Sequence, residues 1–112
     1  MEDTSLTDRL ERLGLSEKEI DTYLAILDHG EAKASTIADD AGVSKRYVYS
    51  VSEKLEDRGF VEVNDHAVPT LIQAHPPEEV VQRLTAELES LGPDLSARWN
   101  RVTEQEREFE IL

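Results

Sequence analysis

Apolar residues recur at spacings of three and four over the first sixty positions and then switch to alternation, so the chain reads as helices followed by short strands. In "SLTDRLERLGL" Leu6, Leu10 and Leu13 share one helical face and Gly14 stops it, which predicts a short leading helix. "SEKEIDTYLAILDHG" opens with Ser16 and Glu19 at the S-x-x-E spacing of a capping box, where each side chain satisfies the other residue's free backbone N–H. Ile20, Tyr23, Leu24 and Leu27 form its apolar stripe and Gly30 ends it. "ASTIADDAG" predicts a shorter helix capped by Ser35, burying Ile37, Ala38 and Ala41 and closing at Gly42. Ser44 then caps "KRYVYSVSEKLEDR", with Val48, Val51 and Leu55 inward and Gly59 as terminator. Beyond it, "FVEVN" and "TLIQA" predict a small hairpin around "DHAVP", and Pro76 and Pro77 close the unit.

The remainder sets Val81, Leu84, Leu88, Leu91, Leu95, Val102 and Phe109 at steps of three, four or seven, a heptad-like seam. Gly92 and Pro93 interrupt it; proline lacks the N–H and crowds the carbonyl of Glu89, so a break or sharp kink is expected there. The expected organisation is a domain over residues 1–77 and a helical dimerisation segment over 78–112. A domain so small has little surface with which to cover that seam. It therefore reads as self-association of a homodimer through Leu84, Leu88, Leu91, Leu95, Trp99 and Val102.

Three helices, a tight "AGV" link between the second and third, and a hairpin after the third spell a mainly α fold, a winged helix-turn-helix with a short β-hairpin wing and a C-terminal amphipathic dimerisation segment. In this fold the third helix, residues 44–58, enters the major groove of DNA with its N-terminal part on the base edges. With Val48, Val51 and Leu55 turned inward, Arg46 and Ser50 point outward, with Lys45, Tyr47, Tyr49 and Lys54 on the flanks. Ser44 begins the helix and completes the candidate DNA-binding set.

Charge sharpens this picture. The 112 residues hold 12 bases and 25 acids, a net charge of −13. Yet Lys45 and Arg46 stand side by side near a helix N-terminus, where the dipole disfavours cations, so helix stability does not explain them. The acid excess, with eight of the twelve bases arginine, resembles haloarchaeal proteins, whose carboxylates keep the surface hydrated in salt that screens their repulsion. The rival reading of that acidity is a winged-helix protein–protein interaction module that does not touch DNA directly.

Other chemistry is thinly represented. There is no cysteine, hence no disulfide framework and no thiolate metal site. His29, His66 and His75 lack ligand-like spacing, and no Ser-His-Asp arrangement, Gly-rich phosphate loop or zinc motif appears, so no metal, cofactor or enzymatic activity is expected. The acidic, polar N-terminus is no signal peptide, no run approaches a membrane span, and a cytoplasmic location is the default.

"LGLSEKEIDTYLAIL", "ASTIADDAGVSKRYVYSVSEKLEDRGFVEV" and "HPPEEVVQRL" resemble the N-terminal winged-helix domain of the TrmB-like archaeal transcription regulators over roughly residues 8–90. The more specific elements are Val48-Tyr49, the L-E-x-x-G of Leu55 to Gly59, and the P-P-E-E after the wing. The resemblance implies a dimeric regulator of operator or promoter DNA, with recognition positions on Lys45, Arg46, Tyr47, Tyr49 and Ser50. It does not extend to sugar sensing: these 112 residues hold no domain large enough to bind a sugar, so the chain is either part of a longer protein or a short family member with another effector or none. Two departures stand out. Ser52 occupies a position where such helices place an apolar residue, and the wing loop "NDHAVP" has no Arg or Lys with which to clamp phosphate.

Overall fold

Helix α1 (Glu2–Arg12) leads into α2 (Glu17–His29), which starts where the capping box says it should. In the computed structural model, which describes residues 2–111 and the side chains of 5–104, Glu19 N–H donates to Ser16 Oγ and Ser16 N–H donates to the Glu19 carboxylate. After α2 the chain forms a strand the periodicity did not announce, β1 (Glu31–Lys33), and passes straight into α3 (Ala34–Ala41). This corrects the cap: Lys33, still extended, holds the N-cap position without a side-chain bond, and Ser35 lies inside the first turn. Helix α4 (Lys45–Asp57), strands β2 (Val61–Asn64) and β3 (Leu71–Ala74), and α5 (Pro77–Ile111) complete the chain.

The hairpin is thus part of a three-stranded antiparallel sheet in the order β1-β3-β2, with Ala32 opposite Ile72 and Val63 opposite Ile72 on its other side. The core lies between this sheet and helices α2, α3 and α4. Ile20, Ile26, Ile37, Val48, Val51, Leu55, Phe60 and Ile72 are all buried, and the Tyr23 and Phe60 rings meet edge to face at 5.1 Å. The stripes read from the sequence on α2, α3 and α4 are the ones that face inward.

Helix α5 is not broken at Gly92 and Pro93. It runs through Gly92 and Pro93 as one helix of 35 residues. Proline removes a single hydrogen bond, and on this solvent-exposed stretch water can take up the carbonyl of Glu89, so the helix continues on either side. Proline also opens the helix, at Pro77, where its missing N–H has no partner to lose. Only the first turns of α5 touch the domain: Val80 is buried and Leu84 half-buried, whereas residues 85–102 are exposed throughout. The Phe109 side chain, last on the predicted seam, lies outside the described ones. The protruding helix gives a radius of gyration of 19.4 Å, against about 13 Å for a compact chain of this length.

Candidate nucleic-acid interface

The turn between α3 and α4 is built by Gly42, which takes the left-handed conformation (φ 69°, ψ 34°) that closes a helix without a Cβ penalty. Val43 N–H then donates to the Ala38 carbonyl at 3.1 Å, and half-buried Val43 packs against the core. Ser44 starts α4, its Oγ accepting from Tyr47 N–H at 3.0 Å. Three side chains fix the roll of the helix, since Val48, Val51 and Leu55 are all within a few per cent of complete burial.

That roll places the candidate residues. Ser44, Lys45, Arg46, Tyr49, Ser50 and Lys54 are exposed, and Tyr47 is half-buried against the core. Among the described residues neither Lys45 nor Arg46 is in an ion pair. Lys54 is different: its ammonium lies 3.5 Å from the Glu19 carboxylate, the same group that caps α2. The Ser16 N–H first, with the Ser16 hydroxyl and Lys54 adding to it against burial, holds the Glu19 carboxyl below its ordinary value. The two flanking tyrosines therefore part company, Tyr49 to solvent and Tyr47 to the edge of the core.

The wing is joined to α4 by a residue that sequence reasoning passed over. Glu56 accepts a hydrogen bond from Val63 N–H on β2 at 2.9 Å, tying helix and strand together. Its signal was in the L-E-x-x-G pattern, which the structure explains position by position: Leu55 enters the core, Glu56 holds the wing, and Gly59 turns the chain at φ 83° with the Arg83 stem against its backbone. The wing tip contains Asp65 and His66 and no lysine or arginine, and His66 N–H donates to Asn64 Oδ1. The other histidines pair locally, His29 with Asp40 and His75 with Glu79. Among the described residues no cluster of His, Asp or Glu could hold a metal ion, and no helix is long and apolar enough to cross a membrane.

A tight-turn helix pair whose second helix leaves one face exposed, flanked by a sheet whose hairpin is bonded to that helix, defines a winged helix-turn-helix domain. Residues 10–78 match the family described as "Sugar-specific transcriptional regulator TrmB", and the chain belongs to that family. The curated relative it matches is likewise described as a transcriptional regulator. Over 88 residues it is 29% identical to the HTH-type sugar sensing transcriptional regulator TrmBL1 of Pyrococcus furiosus, matching 79% of this chain but 26% of that protein. Among solved structures, TrmBL2, an archaeal chromatin protein that shows a novel mode of DNA binding, superposes with a TM-score of 0.77 at 20% identity, over 93% of this chain and 41% of that one. The transcriptional regulator Tm0710 from Thermotoga maritima gives 0.52 at 20% identity over 92% and 82%. The chain thus spans about a quarter of TrmBL1 and two-fifths of TrmBL2.

Proposed function

We propose that the protein is a sequence-specific DNA-binding transcription regulator that acts as a homodimer, each α4 entering a major groove of operator or promoter DNA. The observation that carries this reading is the exposed pair Lys45 and Arg46, in no ion pair among the described residues, at the start of a helix whose other face is locked in the core, in a chain of net charge −13. Arg46 and Ser50 face the base edges, Lys45 and Tyr49 flank them, and Ser44 and Tyr47 stand at the phosphate edge. Lys54 serves the backbone only by leaving Glu19. Residues 1–77 form the reading domain and 78–112 the pairing arm, with Leu84, Leu88, Leu91, Leu95, Trp99 and Val102 in the seam. Five of those six are exposed large hydrophobics on a helix otherwise in water, which supports an arm that is covered by a second copy. We place the protein in the cytoplasm and assign its acidity to life in high salt.

The test is a gel shift of the protein on duplex from upstream of its own gene and on a scrambled duplex, in high potassium. Each good base or phosphate contact is worth roughly 1–3 kcal/mol, so replacing Lys45 and Arg46 together with alanine abolishes specific binding. The circular dichroism spectrum stays unchanged, because neither side chain is in the core. Retained operator affinity in that double variant removes α4 from the interface. The net charge favours one other reading, an acidic winged-helix module that binds a protein partner; it is the reading left standing if the parent protein shows no preference between the two duplexes at any salt.

A further inference from the structure

An apolar groove of about 260 Å³ runs along α1 and the start of α5, walled by Leu6 and Leu10 on one side and Val80, Val81 and Leu84 on the other. Leu6 and Val81 at its mouth are 40% and 60% exposed. The groove is continuous with the seam, because Val81 and Leu84 belong to both. Farther along the same helix stands Trp99, 70% exposed and the only tryptophan in the chain. We propose that the partner's Trp99 fills this groove and that the two α5 helices of the dimer run antiparallel. This deepens the homodimer reading above and rests on it.

The place of the groove decides the direction, and charge favours it. The first half of α5 carries Glu78, Glu79, Glu87 and Glu89 against Arg83, whereas between Asp94 and Glu104 the second half carries Arg98 and Arg101. A parallel pair stacks each of these against its own copy. An antiparallel pair in which Leu84 meets the partner's Leu95, and Leu88 meets the partner's Leu91, keeps four leucine layers in a heptad core and brings the partner's Arg101 level with Glu78. In that register the partner's Trp99 lies level with Val80 and Val81, at the mouth of the groove. The same register sets Asp94 near the partner's Glu87, a like-charge approach that salt must screen. It also fixes a distance. Val80 and the partner's Val80 are separated by nineteen residues along the pair, about 29 Å at 1.5 Å each, close to the roughly 34 Å between half-sites one turn apart on DNA.

The chain has no cysteine, so introduced ones report cleanly. Leu84→Cys and Leu95→Cys are prepared separately and oxidised alone and as an equimolar mixture, with covalent pairs read on denaturing, non-reducing gels and the mass in solution by light scattering. Antiparallel pairing gives a disulfide-linked pair in the mixture and little from either variant alone. Rapid cross-linking of Leu84→Cys with itself shows parallel helices and overturns the proposal; a dimer that yields neither product overturns the register. A monomeric parent protein overturns the dimer reading, and this inference falls with it. Groove occupancy is read from Trp99 fluorescence: emission of the parent dimer lies to shorter wavelength than that of a Leu88→Asp monomer, and Leu6→Gln, at a partly exposed site, shifts it to longer wavelength while the mass remains that of a dimer. Identical spectra for parent and Leu6→Gln dimers overturn the placement of Trp99.

Discussion

Ser52 and Thr22 are equally buried, yet only one of them is satisfied. The Thr22 hydroxyl donates to the Lys18 carbonyl at 2.8 Å, one turn back on its own helix, whereas Ser52 Oγ has no partner among the described residues. A buried hydroxyl without a hydrogen bond costs about 1–3 kcal/mol, and alanine fits the space with almost no cavity. Ser52→Ala is therefore expected to stabilise the domain by about 1 kcal/mol, read as a higher denaturant midpoint with an unchanged slope. Glu19 gives a prediction in pH. Its folded value lies below the ordinary 4.5, so ionisation favours the folded state. That contribution is fully present above the ordinary value and disappears as pH falls through the depressed one. Comparing melting temperatures from pH 6 to pH 3, the parent loses more than Glu19→Gln, and the two converge at the acid end.

Between elements, the joint of α4 and α5 is made by arginines. The Arg83 guanidinium donates to the Asp57 carbonyl at 3.2 Å, closing the end of α4, while its stem packs on Gly59. Arg58 donates to the Leu13 carbonyl at 2.7 Å, lies over the Phe60 ring and comes within 3.6 Å of Glu87 on α5. A Cβ on Gly59 would sit 2.6 Å from Arg83 Cγ, in a backbone conformation that costs a side chain about 1–2 kcal/mol by itself. Gly59→Ala is thus expected to destabilise by about 1–3 kcal/mol. In an Arg83→Ala background the penalty falls toward the backbone cost alone, which a double-mutant cycle in denaturant measures. This joint was invisible in the sequence because its partners lie far apart along the chain. Helices α2, α3 and α4 could be read there because each carries an apolar stripe with stop signals of its own. By contrast β1 is three residues with one apolar position, and it exists only through pairing with β3. No break follows at Pro93 for the opposite reason: a local rule meets a stretch where solvent absorbs the loss. At the candidate interface, the outward faces of Lys45, Arg46 and Ser50 followed from the helix period. The sorting of Tyr47 from Tyr49 and the capture of Lys54 by Glu19 needed the neighbouring helices.

For the molecule as a whole, 25 acids against 12 bases mean that repulsion rises as salt is withdrawn. The screening length grows from about 3 Å at 1 M to about 10 Å at 0.1 M, so the melting temperature is expected to climb with KCl across that range. A flat profile removes the high-salt reading of the composition. Binding to duplex is expected to weaken with salt less steeply than the fall of about 0.9 in log K per neutralised phosphate per decade, because cations are taken up between facing carboxylates and phosphates as others leave. The arm has a consequence of another kind. If the helix that leaves its domain with leucines and a tryptophan uncovered pairs as proposed, the pair is a mass-action product, so below the dissociation constant a twofold rise in abundance yields roughly fourfold more pairs. On the proposed pairing, the number of protein copies in the cell is itself an input, and operator occupancy is steeper in gene dosage than that of any reader which binds alone.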